Sequence, residues 1–197
     1  LSNIINLKIL NIYNTHNLTL YRCNLNVINH NDCITNLSIH NCNINMNILK
    51  FTKLTSLCLI DCNFVNNSNL KELISHLSYL KYLSLNYCNN ITDVSCLKHI
   101  KFIQLIGCNI KYGVEELSNV YSIDMSYNNF YNFNSNQNKY VKLNYTPIIN
   151  FNFKNLNALE LMGNNNITYE DTKNFKNIKY LNLSQTDIIN IHPIDNL

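Results

Sequence analysis

The sequence predicts an α/β solenoid, in which short parallel strands stack one per coil into a single sheet, with extended or 3₁₀ segments behind it and one helix. Three observations carry this. A pattern of two apolar residues two places apart, then Cys, Asn or Thr three places on, then another apolar residue, occurs nine times along the 197 residues. Its first apolar places are Leu18, Leu37, Leu57, Leu83, Ile103, Ile123, Val141, Leu159 and Leu181, so the step is 18 to 22 residues with one step of 26. Within each match the apolar alternation has period two, which turns both side chains to one side of a strand. A lone strand of this length cannot bury its face, but stacking one coil per period joins the strands and makes the apolar side continuous.

Taken in order, residues 1–17 are expected to form an irregular cap or a partial repeat. "LKILNIYNTHNL" also looks like a repeat, but it stands too close to Leu18 to leave room for a coil. From Leu18 the regular repeats run to residue 197 as one domain. Behind most strands the chain has room only for an extended stretch or a 3₁₀ turn. The long step is different: it holds "NSNLKELISHL", with Leu70, Leu73 and Leu77 at helical spacing, and predicts a helix near 69–77 capped by Ser68 or Asn69. The sequence stops after "PIDNL", where another repeat is due. Because a solenoid needs polar ends to stay soluble, the expectation is a segment of a longer chain.

With an apolar residue three places upstream, the unit reads L-x-x-L-x-L-x-x-(C/N/T)-x-(L/I/F). It resembles the leucine-rich repeat over nearly the whole chain. That resemblance implies a concave parallel sheet that holds a protein partner. "NNITDVSCLKHI" and "TDIINIHPIDNL" are similar to the internalin variant of the repeat, with Cys96 where that variant often carries proline and His192-Pro193 restoring it. "CNNITD" resembles the cysteine-containing repeats attached to F-box segments in ubiquitin ligases. Two further roles follow from these resemblances: the substrate-recognition part of a ligase, or a surface adhesin.

Five of the eight cysteines stand at the Cys/Asn/Thr place. There the chain turns inward past backbone groups that must be paired. Cys23, Cys42, Cys62, Cys88, Cys108, Asn128, Thr146, Asn164 and Thr186 are therefore expected to form a ladder, one rung per coil. Zinc needs four ligands converging on one point, which rungs spread one per coil cannot supply, so no metal is expected. Neighbouring rungs stand near the strand spacing of about 4.8 Å, which leaves a disulfide open on distance alone. Eight cysteines without a paired-cap pattern favour reduced thiols in an intracellular, cytoplasmic protein.

The remaining composition is mostly exclusion. Hydrophobic residues are 46%, too many for a disordered chain, while charged residues are 14% with a net charge of +3, too few and too dispersed to argue for nucleic acid or a membrane surface. No apolar run reaches the roughly 18 residues of a spanning helix, and no leader is expected within these residues. Asparagine makes up about a fifth of the chain, and much of it reads as drift on solvated positions. The sequons at Asn17, Asn36, Asn66, Asn90, Asn144, Asn166 and Asn182 then follow from chance. The histidines share no motif with a nucleophile, and Gly107, Gly113 and Gly163 are too scattered for a phosphate loop. Asp124 and Glu160, with Lys142 between them, read as an ion-paired surface row. No enzyme activity and no cofactor are expected.

What is left is the outward side of the strands. There Ile60, Tyr82, Phe102, Ile106 and Tyr140 are expected to stand exposed with few charges, joined by Tyr87, Tyr127 and Tyr145 one place further on. Exposed apolar side chains gathered this way mark an interface. The expectation is a monomeric protein–protein interaction scaffold.

Overall fold

In the computed structural model the described residues are 1–4, 9–25, 27–30, 33–44, 48, 50–153, 155–175 and 177–194. They carry fifteen strands: β1 (Ile9–Ile12), β2 (Asn17–Tyr21), β3 (Asn24–Leu25), β4 (Val27–His30), β5 (Asn36–His40), β6 (Asn43–Ile44), β7 (Ser56–Ile60), β8 (Tyr82–Ser84), β9 (Phe102–Gln104), β10 (Ser122–Asp124), β11 (Asn132–Ser135), β12 (Tyr140–Lys142), β13 (Asn150–Phe153), β14 (Ala158–Glu160) and β15 (Tyr180–Asn182). Nine of them make one sheet in chain order, β2-β5-β7-β8-β9-β10-β12-β14-β15. Every pairing is parallel and in register, so Leu37 lies beside Leu57, Leu57 beside Leu83 and Leu83 beside Ile103. This is a solenoid with one strand of a long parallel sheet per coil.

The alternation does what period two requires. Leu20, Leu57, Leu59, Leu83, Leu85, Leu105, Leu159 and Leu161 have no exposed surface, while their strand neighbours are mostly open to solvent, Ser84 being the covered exception. Each such burial contributes roughly 1.5–3 kcal/mol, offset by the ordering entropy of its coil. Behind the sheet the coils close in three ways. The long step holds a true helix, α1 (Asn67–His76), with Leu70 and Leu73 buried. Its cap is Asn66, whose Oδ1 accepts from Asn69 N at 3.0 Å, two or three residues earlier than the sequence suggests. 3₁₀ turns close other coils at Ser95–Leu97, Val114–Asn119 and Glu170–Phe175. The rest use strands: β1 pairs with β4, β3 with β6 and β11 with β13, all parallel. Phe133, Phe153 and Phe175 are buried there, and Phe151 stacks on Phe153 at 4.8 Å.

The first residues add to the sheets. Tyr21 N donates to Leu1 O at 2.9 Å and Asn3 N to Tyr21 O at 2.8 Å, so residues 1–3 continue the long sheet past β2. β1 then lies behind, in register with β4. Among its described residues the stretch is a partial coil. At the other end, the last three residues of "PIDNL" lie outside the described ones.

The ladder residues point into the coils and reach back to the preceding one. Cys23 Sγ donates to Leu1 O at 3.8 Å, Cys62 to Ile39 O at 3.4 Å, Cys88 to Leu59 O at 3.4 Å and Cys108 to Leu85 O at 3.0 Å. Asn128 Nδ2 donates to Leu105 O at 2.7 Å, Thr146 Oγ1 to Met125 O at 3.1 Å and Asn164 Nδ2 to Leu143 O at 2.7 Å. Two rungs differ. Cys42 Sγ donates to His40 O and accepts from Cys23 N, and Thr186 Oγ1 donates within its own turn to Leu183 O. All eight cysteines are free thiols. Burial pushes Cys62 and Cys108 up to about 12 and Cys88 up to about 11.

Asparagine does more than coat the surface. Amide side chains bridge neighbouring coils at Asn29–Asn11 (3.0 Å), Asn36–Asn17 (2.6 Å) and Asn150–Asn132 (2.8 Å). These pairs lie on exposed positions and link one coil to the next.

Candidate functional site: the outer face of the long sheet

The outer face is built from three columns of side chains, one residue of each per coil. The leading column begins each strand and holds Asn17, Asn36, Ser56, Tyr82, Phe102, Ser122, Tyr140, Ala158 and Tyr180. The middle column contains Gln104, Asp124, Lys142 and Glu160. The trailing column contains Ile60, Asn86, Ile106, Ser126 and Asn144.

Of the residues expected to bind, Tyr82, Phe102 and Tyr140 stand together in the leading column. Tyr82 Oη donates to Gln104 Oε1 at 2.8 Å, and burial, with Cys58 beside it, raises its phenol above the ordinary range. Phe102 and Tyr140 do not touch each other directly. Between them stands Tyr121, edge-on to Phe102 at 5.6 Å and tilted against Tyr140 at 5.7 Å. Lys101 Nζ lies 5.3 Å from the ring centroids of both Phe102 and Tyr121.

The sequence reading missed Tyr121 and the lysines. The signal was present: the residue pairs Lys81-Tyr82, Lys101-Phe102, Lys139-Tyr140 and Lys179-Tyr180 each stand directly before the first core residue of a repeat.

Ile60 and Ile106 lie in the trailing column, half-buried and apart from the aromatic group. Ile60 shares a groove of about 470 Å³ with Tyr21, Arg22, His40 and Tyr87. Where the sheet hydrogen bonds run out, polar side chains take over. Asn86 Oδ1 accepts from Ile106 N at 2.9 Å, Ser126 Oγ from Asn144 N at 3.1 Å and Asn144 Oδ1 from Met162 N at 2.8 Å.

Tyr87, Tyr127 and Tyr145 are not on the sheet face. They occupy the turn just before the ladder place, and that place is left-handed in every coil: φ is 49° at Arg22, 49° at Asn41, 52° at Asp61, 60° at Tyr87, 62° at Gly107, 60° at Tyr127, 53° at Tyr145, 71° at Gly163 and 59° at Gln185. The next coil shapes how the tyrosines lie. A Cβ on Gly107 would meet the Tyr87 ring at 2.8 Å, and one on Gly163 would meet the Tyr145 ring at 2.4 Å. Tyr87 and Tyr145 therefore lie flat across the glycines that follow them. Tyr145 crosses Gly163 to donate to Gln185 Oε1 and stacks on Tyr127 at 4.8 Å. This row lines the rim of the sheet, where Tyr87 and Tyr127 remain 50% and 54% exposed.

The charged residues of the middle column are engaged with one another. Lys142 Nζ meets Glu160 Oε1 at 2.9 Å, and Asn144 Nδ2 donates to Glu160 Oε2 at 3.0 Å. Partial burial raises the Glu160 carboxyl, but these two hydrogen bonds outweigh it and leave it below the ordinary range. Asp124 Oδ1 accepts from Ser126 N at 3.1 Å. This is a structural network on a solvated face. Among the described residues no group of His, Cys, Asp and Glu is arranged to hold a metal ion, and no helix is long and apolar enough to cross a membrane.

No protein-family model matches the chain, and no curated protein matches it. Among solved structures, an internalin from Listeria monocytogenes is similar at 14% identity with a TM-score of 0.39, covering 88% of this chain and 77% of that one.

Proposed function

We propose that this chain is a scaffold that binds a protein partner on the outer face of its long sheet, as a monomer inside the cell and without catalysis. The observation that carries this is the aromatic group on that face. Tyr140 is 41% exposed, Tyr180 52% and Tyr121 38%, with Phe102 packed among them. Large rings left partly open on a rigid sheet lose little entropy on binding, and such residues dominate binding energy when a partner covers them. An intracellular setting is favoured by the thiols. All eight are free, and the deeply buried rungs donate to carbonyls that oxidation would leave without a donor.

A photo-cross-linking amino acid in place of Tyr140 tests the assignment in native lysate, with the same group in place of Glu72 on α1 as control. The expected result is one discrete protein adduct from position 140 and none from position 72. Tyr82→Ala with Phe102→Ala should abolish that adduct while leaving the circular dichroism and melting point nearly unchanged. An adduct from position 72 alone would overturn the assignment.

A further inference from the structure

We propose that the partner is held through an acidic extended segment, carrying at least one bulky apolar side chain, laid across the coils along the leading edge of the sheet. This rests on the reading of the outer face as a protein-binding surface and names the chemistry it selects.

The backbone places one more column just ahead of the strands. Phe102 N donates to Lys81 O at 2.9 Å, Ser122 N to Lys101 O at 3.2 Å, Lys139 N to Tyr121 O at 2.8 Å, Asn157 N to Lys139 O at 2.8 Å and Lys179 N to Asn157 O at 2.9 Å. Lys81, Lys101, Tyr121, Lys139, Asn157 and Lys179 are thereby aligned across six consecutive coils. Four are lysines, and none is acidic. Among the described residues the ion pairs are Lys98–Glu116, Lys142–Glu160 and Lys173–Glu170, so no lysine of this column has a carboxylate partner. What contacts they have are neutral: Lys101 lies against rings, and Lys139 Nζ donates to Asn155 O at 3.1 Å.

Lys81 and Lys101 stand on neighbouring coils, where like charges destabilise the free sheet, while Lys101, Lys139 and Lys179 repeat at every second coil. An anionic ligand would relieve that repulsion. Beside each lysine stands an aromatic ring, Tyr82, Phe102, Tyr140 or Tyr180, which offers apolar area where the charge is neutralised. Five strand spacings of about 4.8 Å cover about 24 Å, the reach of about seven extended residues.

A peptide fits better than a nucleic acid. Asp124 and Glu160 lie on the same face two places into the strands and would repel a continuous phosphate chain. The chain's sole arginine, Arg22, is in the coil that contains β2, well away from the column. A peptide can set carboxylates at the lysines and apolar groups on the rings.

Fluorescence anisotropy provides the test. The probe is a fluorescein-labelled peptide of about nine residues, long enough to span the column, made of glutamates around a central phenylalanine. Its counterparts carry lysines in place of the glutamates, or are an oligothymidine of similar length. The acidic peptide should bind, and more weakly as salt rises. Lys101→Glu with Lys139→Glu should weaken it at least about tenfold, and Lys101→Gln with Lys139→Gln by a smaller factor. Lys71→Glu with Lys111→Glu, on α1 and beyond the ladder place of its coil, should change it less than about twofold. Circular dichroism must match the parent in each case. Binding indifferent to the column variants, equal binding of the lysine peptide, or tighter binding of the oligothymidine would overturn the proposal. Excess acidic peptide should also suppress the adduct formed from position 140. If the adduct forms and persists under excess peptide, the protein-binding face stands and the acidic segment falls. If no adduct forms at all, the binding face itself falls.

Discussion

Raising the pH should loosen this protein through its thiol ladder. Cys62, Cys88 and Cys108 are buried, and burial lifts each from an ordinary value of 9.0 to between about 11 and about 12. A raised folded-state pKa means that the folded chain keeps its protons where the unfolded chain loses them. The stabilising contribution is therefore complete below pH 9.0, the unfolded value, and is lost as pH rises from there toward the folded values. At about pH 10 each thiol gives the unfolded state a little over ~1 kcal/mol, so the three together give about 4 kcal/mol. Against a total stability of about 5–15 kcal/mol, that is a large fraction. Urea unfolding followed by circular dichroism, at about pH 7.5 and at about pH 10, measures the loss. Tyrosine and lysine titrate over the same range, so the informative quantity is the difference from the variant carrying Cys62→Ser, Cys88→Ser and Cys108→Ser. That variant keeps hydroxyl donors at the same carbonyls but has nothing to ionise there, and its alkaline loss should be smaller by about 4 kcal/mol. Equal losses in the two proteins would refute the thermodynamic role given to the buried thiols.

Two further predictions follow from the turns. Cys88→Ser should be mild, because serine can still donate to Leu59 O, whereas Cys88→Leu should cost about 1–3 kcal/mol for the stranded carbonyl, with overpacking in addition; equal thermal midpoints would contradict this. Gly163→Ala should cost about 1 kcal/mol from its left-handed backbone alone and more from the clash with the Tyr145 ring. Adding Tyr145→Ala should recover only the clash, which a double-mutant cycle in chemical denaturation separates.

Much of the solenoid was legible because one place in the repeat is constrained twice over. A rung such as Cys108 must be small enough to sit under the turn and polar enough to meet Leu85 O, so the sequence there is confined to a few residue types. The strand leucines are constrained by period two in the same way. The first coil was less legible because β1 joins a separate two-stranded sheet with β4; the alternation at Leu10 and Ile12 is genuine, but it faces a different neighbour. The helix cap was misplaced because "NNSN" offers several capping residues, and only packing of Leu70 and Leu73 selects Asn66. On the candidate face, an alternation rule puts Tyr87, Tyr127 and Tyr145 just beyond the sheet but cannot say that the backbone there has turned left-handed. It also cannot foresee that a glycine one coil later lets a ring lie down. Tyr121 was passed over because the leading column in its coil holds Ser122, and the ring arrives from the residue before.

The unequal coil lengths have a consequence for how such a chain can change over time. The step that holds α1 exceeds the shortest by 8 residues (26 − 18), yet Leu57 and Leu83 remain paired in the long sheet as closely as Ile123 and Val141 do. Length differences are absorbed on the reverse side, where a helix, a 3₁₀ turn or a strand closes the loop equally well. Insertions and deletions arising there would leave the front undisturbed, whereas a single residue gained between Leu83 and Cys88 would turn every later side chain of that strand to the opposite face. Selection can therefore revise the outward columns by point substitution and the back by length, as two nearly independent traits of one molecule.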